Sequence, residues 1–330
     1  MNKEQIFYPV IIPTLNRYDH LRRCIESLSR NTGAEETELV IGLDYPPSEK
    51  YMDGFLKIKE YLPTIIGFKK VTIIEAEKNL GEGGNVRNLR KYIEEAGYDG
   101  CIFSEDDCEF ASNFLEYQNW GLNTFRNDQS IYAICSLTTV DTSVLENNVY
   151  KVNDFYNSWG YGTWNDRIEK YNRYRNGYDK KGVLARYGWK TLFNKDLANA
   201  HRLISMFSIG AFWSDLMLLL IPEEERWCIF PKENLVRNFG CDNSGVHGGN
   251  PELYNFFSKI EYSKDSKFVP SIKCDLYNPI VAARIQKKYF PEGKTRISAM
   301  IKFVLYKLTG YSIIKEKKGK WLSVKLQKVL

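Results

Sequence analysis

The first 110 residues alternate short apolar runs with amphipathic stretches, and this alternation constrains the fold more than any other feature of the chain. Ile6 to Ile12 is one apolar run, and Leu21, Cys24, Ile25 and Leu28 follow at the spacing of a helix that buries one stripe. Leu39 to Leu43 reads as a second strand, Tyr51, Phe55, Ile58 and Leu62 as a helix stripe, and Val71 to Ile74 as a third strand. Val86, Leu89, Ile93 and Ala96 mark another helix before the strand Cys101 to Phe103. The pattern predicts right-handed crossovers and an α/β, Rossmann-like fold: a mostly parallel central sheet with helices on both faces.

Such a sheet collects ligands beyond the carboxyl ends of its strands. There the chain places Thr14, Asn16 and Arg17, then Asp44, then Glu77 and Asn79, then Glu105, Asp106 and Asp107. Three carboxylates directly after a buried strand are costly unless they are paired or hold a cation, so a hard divalent metal is the expectation. A solvated turn or helix cap is the plainer alternative. No G-x-G-x-x-G follows the first strand and no G-x-x-x-x-G-K-S/T occurs, which removes the main support for a dehydrogenase or a P-loop enzyme.

With 330 residues, 43% hydrophobic and 14% aromatic, the chain can bury a large core and is not a disordered one. Its seven cysteines include no C-x-x-C pair, which indicates neither a zinc ribbon nor a disulfide framework and fits a reducing compartment. The start, MNKEQIFYPVII, lacks the pattern of a signal peptide, and no run reaches the ~18 apolar residues of a membrane span. The expectation is a cytoplasmic protein. The net charge of +5 conceals an asymmetry: residues 284–330 hold thirteen Lys and Arg against two Glu, a net +11, so residues 1–283 sum to −6. A mildly acidic body argues against a nucleic-acid groove, and a basic end points to the anionic inner face of a membrane.

Residues 113–278 are less regular and rich in Trp, Tyr and Asn, which suits substrate-shaping loops attached to the sheet. Beyond Pro279, Ile297, Met300, Ile301, Val304 and Leu308 share one helical face, and Trp321, Leu322, Leu326 and Val329 repeat the theme among lysines. The expected division is 1–110 as the Rossmann-like half, 111–278 as the second half of the same domain, and 279–330 as a helical, basic, membrane-associating extension.

The motifs PTLNR after the first strand, NLGEGGNVRN after the third and EDD after the fourth resemble the nucleotide-sugar domain of family-2-like glycosyltransferases of the GT-A type, over roughly residues 6 to 120. NSWGYGTWNDR (Asn157 to Arg167) and NLVRNFGCDNSGVH extend the likeness, to about His247, toward a bacterial polysaccharide-building subgroup. The resemblance implies that Pro13, Thr14, Asn16, Arg17 and Asp44 surround the nucleobase and ribose. It implies that Asp107 binds Mn²⁺ or Mg²⁺, with Glu105 on the ribose or on metal-bound water, although the family pattern often has Asp at that position. His247 resembles a late histidine used as a further metal ligand or diphosphate contact.

In the run Asn79 to Asn88, Gly81, Gly83 and Gly84 permit close backbone approach, and Arg87 can pair with a diphosphate. Asp215, beside Trp213 and an apolar run, reads either as a general base raised by burial or as a helix N-cap after Ser214, with Asp166 as the second candidate base. Trp159, Tyr161 and Trp164 offer flat faces to a sugar ring, with Gly160 letting the chain bend around it, or else they pack in the core. The function implied is metal-dependent, inverting transfer from a nucleoside-diphosphate donor, a UDP-sugar, to a glycan or lipid-linked sugar in surface-polysaccharide assembly. A sugar-phosphate nucleotidyltransferase and a non-catalytic glycan- or membrane-binding protein are the rival readings.

Overall fold

The computed structural model describes residues 6–153, 155–194, 196–209, 218–245, 249–289, 294–318 and 321–329. Strand β1 (Val10–Thr14) leads to helix α1 (Tyr18–Ser29), β2 (Glu38–Leu43) to α2 (Met52–Tyr61), and β3 (Lys70–Glu75) to α3 (Gly81–Glu95), which returns the chain to β4 (Gly100–Phe103). These four strands are parallel, in the order β3-β2-β1-β4. Their carboxyl ends therefore lie at one edge of the sheet.

Strand side chains alternate between the two faces, as a two-residue period requires. Val10 and Ile12, Leu39 and Ile41, and Ile102 pack with α1, α2 and α4 (Phe114–Phe125) in one core, whereas Ile11, Val40, Cys101 and Phe103 pack with Leu89 and Ile93 of α3 in the other. The expected helix stripes hold: Leu21, Cys24, Ile25 and Leu28 of α1 are buried, as are Phe55 and Ile58 of α2.

The first strand is shorter than the apolar run that announces it. Ile6 and Tyr8 do not pair with a strand; the α4 side chains of Asn123 and Asn119 accept from their backbone N–H groups at 3.1 and 2.8 Å. Two asparagines one helical turn apart thus take the place of a strand partner.

The less regular middle of the chain also contributes strands. β6 (Ile131–Ile134), β7 (Val149–Val152), β8 (Tyr161–Trp164) and β9 (Trp227–Pro231) extend the sheet to β3-β2-β1-β4-β8-β6-β9-β7. β8 runs antiparallel to β4, with Phe103 opposite Tyr161 and Gly100 opposite Trp164. A separate two-stranded ribbon joins β5 (Cys108–Phe110) to β10 (Val236–Asn238). Strands this short, paired with partners far along the chain, leave little periodic signal.

Helices α5 (Asn165–Gly177), α6 (Lys180–Ala185), α7 (Asp196–Ile209) and α8 (Pro251–Lys259) precede the basic extension. Its first helix, α9 (Pro279–Tyr289), buries Val281 and Ile285 in the α3-side core, and Arg284 pairs with Asp141 at 3.0 Å. The next, α10 (Lys294–Thr309), faces α7 with Ala299, Phe303 and Tyr306; of the predicted stripe, Met300 packs against the same core, Val304 is half-buried, and Ile297, Ile301 and Leu308 are exposed. The end is not helical: β11 (Tyr311–Lys318) and β12 (Trp321–Lys328) form a hairpin. Every cysteine is free, and no helix among the described residues is long and apolar enough to cross a membrane.

Glu38, at the start of β2 and 6% exposed, ties three elements together. Its carboxylate accepts hydrogen bonds from Lys70 (3.0 Å) and Thr72 (2.7 Å) on β3, from Tyr92 (2.7 Å) on α3 and from Tyr98 (2.9 Å). Burial alone would raise its pKa, but the Thr72, Tyr92, Lys70 and Tyr98 bonds outweigh it and hold the carboxyl at about 2 rather than 4.5. The stabilisation is therefore present above the unfolded value and is lost as pH falls from 4.5 toward about 2. Glu38→Gln should flatten the decline of Tm over that window; parallel Tm–pH curves for the two proteins would refute the assignment.

Candidate active site at the strand tips

Because β1 to β4 point the same way, Thr14, Arg17, Asp44 and the Glu105–Asp107 triplet all fall at one edge. Asp44 is 4% exposed, and its Oδ1 accepts from the backbone N–H groups of Tyr45 (2.9 Å) and Leu80 (2.8 Å). Asn79 donates through Nδ2 to Asp44 Oδ2 at 3.2 Å and to the Tyr45 carbonyl at 2.7 Å. Asp44 and Asn79 together pin the segment that leads into α3. That helix begins in the expected glycine run, and a Cβ at Gly83 or Gly84 would meet the Arg87 guanidinium at 3.5 and 3.7 Å. Its first-turn N–H groups and Arg87, which is exposed, therefore suit a phosphate.

In the acidic triplet Asp106 and Asp107 are buried and Glu105 is half-buried, and all three are braced by the protein. Thr14 Oγ1 donates to Asp106 Oδ2 at 2.9 Å, and the Arg17 guanidinium spans the neighbouring carboxylates, on Asp106 Oδ1 and, at 2.8 Å, on Asp107 Oδ2. Burial works against the Arg17 charge, yet Asp106 and Asp107 outweigh it and raise its pKa. Asp106 itself is raised, by burial first, against the pull of Arg17. Ser158 donates to Glu105 Oε1 at 2.9 Å. Burial, and then the neighbouring Asp107 charge, push Glu105 from 4.5 up to about 8.

Ser158 carries no role in the sequence alone, and neither do three consecutive residues, Asn238, Phe239 and Gly240. Asn238 lies in the NLVRNFGCDNSGVH stretch, and the β5–β10 ribbon sets it beside the triplet, where Nδ2 donates to Asp107 Oδ1 at 2.5 Å. Phe239 N–H donates to the Asp107 carbonyl at 2.9 Å. Gly240 follows so closely that a Cβ there would sit 2.1 Å from Asp107 Oδ2. Its loop is tied to α1 by His20, whose Nε2 is 2.9 Å from Asp242 Oδ2. Only the β5–β10 pairing across more than 120 residues reveals these contacts.

The structure corrects three expectations. Asp166 is not at this edge: it follows the far end of β8, beside the start of β4, where Asn165 N–H reaches the Asp99 carbonyl. Burial raises its pKa, but the Arg167 and Gln129 hydrogen bonds prevail and lower it, the wrong direction for a base. Trp164 and Tyr161 are core residues of β8, 2% and 7% exposed, with Trp164 under the Arg167 guanidinium and Tyr161 against Phe103 and Tyr156. Neither presents a ring face to a sugar. Gly160, at φ +68°, turns the chain where a Cβ would strike Phe110 at 2.4 Å, while Trp159 packs edge-on against Phe257 with ring centroids 4.6 Å apart. Pro13 and Asn16 lie partly exposed at the β1 end. Asp215 and His247 lie outside the described residues.

Whether these groups suit a divalent cation is answered by their chemistry. Glu105 and Asp107 are hard oxygen donors, and the Asp107 charge raises the cost of ionising Glu105, a cost that a cation would relieve. No group of three or more His, Cys, Asp or Glu side chains gathers around a point among the described residues. Two carboxylates with phosphate oxygens completing the shell match the mode Mg²⁺ ordinarily adopts, so the residues fit such an ion held jointly with a phosphorylated ligand.

Among solved structures, the chain is similar to residues 1–349 of TarS from S. aureus (11% identity, TM-score 0.43, covering 92% of this chain and 73% of that one). It is also similar to a longer S. aureus TarS structure (14% identity, TM-score 0.35), of which it spans 30%, while that match covers 51% of this chain. A mannosyltransferase from Pyrobaculum calidifontis, in complex with GDP-Man and Mn²⁺, matches at 13% identity and TM-score 0.35, over 50% of this chain and 46% of that one. No curated protein matches the chain. The sequence profile of glycosyl transferase family 2 covers residues 10–201, from the first strand of the sheet through the strand-tip carboxylates and into α7, and on that match the chain belongs to glycosyl transferase family 2.

Proposed function

We propose that this glycosyltransferase moves a sugar from a nucleoside-diphosphate donor, a UDP-sugar, to a glycan or lipid-linked sugar in surface-polysaccharide assembly, with a divalent cation and inversion at the sugar carbon. The observation that carries the reading is the meeting of Glu105, Asp107 and Arg17 at the carboxyl edge of the parallel strands. Family membership favours glycosyl transfer over nucleotidyl transfer and over non-catalytic binding.

Residues 1–110 supply the donor side in this proposal and residues 111–278 the acceptor side. Asp44 and Asn79 hold the segment before α3, whose first turn and Arg87 receive the diphosphate; Pro13, Thr14 and Asn16 border the nucleoside. Glu105 and Asp107 hold Mn²⁺ or Mg²⁺, which when bound neutralises charge on the departing diphosphate. Asp215 is the proposed base. It takes the proton of the acceptor hydroxyl as that oxygen attacks the anomeric carbon and the bond to the diphosphate breaks on the opposite face. His247 is the proposed additional contact to the cation or diphosphate.

The C-terminal segment, 279–330, is proposed to dock on the anionic inner face of a membrane. Support comes from the exposed face of α10, where Ile297, Ile301 and Leu308 are 59%, 55% and 70% accessible on a segment of strongly basic composition. Its opposite face packs on α7 through Phe303, so deleting the segment would damage the body as well.

Asp107→Ala should lower turnover at least ~100-fold, since removing one stabiliser of developing charge costs ~10²- to 10³-fold; wild-type turnover that persists in excess chelator would reject the metal. Gly240→Ala forces Asp107 or its loop to move, and should cut kcat/KM ~10- to 100-fold while leaving Tm within a few degrees. For the membrane, Ile301→Glu combined with Leu308→Glu should abolish co-sedimentation with phosphatidylglycerol vesicles and leave the purified enzyme active. Undiminished co-sedimentation of that variant would end the docking proposal.

A further inference from the structure

All four oxygens of Asp106 and Asp107 are engaged by the protein: Asp106 by Thr14 and Arg17, Asp107 by Asn238 and Arg17. Both side chains are about 5% exposed, so water screens them little, and Arg17 is the cation in contact with either among the described residues. The guanidinium fork is what lets one side chain neutralise two carboxylates. A cation arriving at Asp107 meets an oxygen that Arg17 already holds, and two positive charges at contact distance repel. Arg17 must then give up Asp107 and find another anion. The anion that arrives with the cation is the diphosphate of the donor.

We propose that Arg17 is an internal counter-ion that occupies the cation's place on Asp107 until nucleotide binds, which makes cation binding conditional on the nucleotide. The proposal rests on the functional reading above and adds to it a positioning and gating role for Arg17, distinct from contact with the nucleoside. Coupling of this kind is reciprocal, so the nucleotide tightens the cation by the same factor as the cation tightens the nucleotide. The loop tied to His20 lies close to both partners: Gly240 abuts Asp107, and a Cβ at Gly245 would lie 3.2 Å from Arg17 Nη1.

The test is Mn²⁺ titration of the full-length protein by electron paramagnetic resonance, alone and with UDP, and in parallel with GDP, correcting for Mn²⁺ bound to free nucleotide. Wild type should bind Mn²⁺ weakly alone and about tenfold or more tightly with nucleotide, within the usual range of coupling between sites. Arg17→Gln should bind Mn²⁺ alone about tenfold more tightly than wild type and lose most of the nucleotide effect. In chelator its Tm should fall below that of wild type, and Mn²⁺ alone should raise it by more than it raises wild type. Arg17→Lys keeps the charge without the fork; it should fall between the two and serves if the glutamine variant does not fold. Folded variants that bind Mn²⁺ no more tightly than wild type, with the nucleotide effect intact, overturn the counter-ion role. A wild-type protein that binds Mn²⁺ with neither nucleotide overturns the functional reading itself.

Discussion

The arrangement at the strand tips depends on how buried negative charge is held there. Three consecutive carboxylates, Glu105 to Asp107, emerge from the end of β4, and water has little access to the two aspartates. Each is met differently: Asp106 by a hydroxyl and a guanidinium, Asp107 by an amide and the same guanidinium, Glu105 by a single serine. The unequal bracing has a chemical consequence. The two aspartates share a counter-charge, while Glu105, without one, has its pKa pushed up to about 8.

Strand direction decides which residues take part. Parallel β1 to β4 bring their ends together because each crossover helix carries the chain back to the start of the next strand. β8 reverses this. Its amino end lies beside the carboxyl end of β4, which delivers Ser158 to the cluster; its carboxyl end carries Asp166 to the opposite edge. A single antiparallel strand thus separates two segments only eight residues apart, and sequence distance is a poor guide to which of them reaches the site.

The basic C-terminal segment illustrates a second ambiguity, that of an amphipathic helix with apolar residues on more than one face. Ile297, Ile301 and Leu308 are exposed, and Ala299, Phe303 and Tyr306, with Met300 beside them, are the residues that meet α7. Periodicity reports that a face is apolar and says nothing of what covers it. Here the protein's own body covers one face and leaves the other exposed.

The amino-acid sequence by itself determined the alternation of strands and helices through residue 103, the faces those helices bury, and the gathering of Thr14, Arg17, Asp44, Asn79 and the acidic triplet at one edge. These follow from local periodicity and from the rule that parallel strands end together. Only the tertiary structure decided that Arg17 bridges two aspartates, that Asn238, Gly240 and Ser158 complete the cluster, that Tyr161 and Trp164 are core, and that Asp166 is remote. Each of these depends on pairings such as β5 with β10 and β4 with β8. In those pairings a few backbone hydrogen bonds join residues scores of positions apart, and no local pattern records the partner.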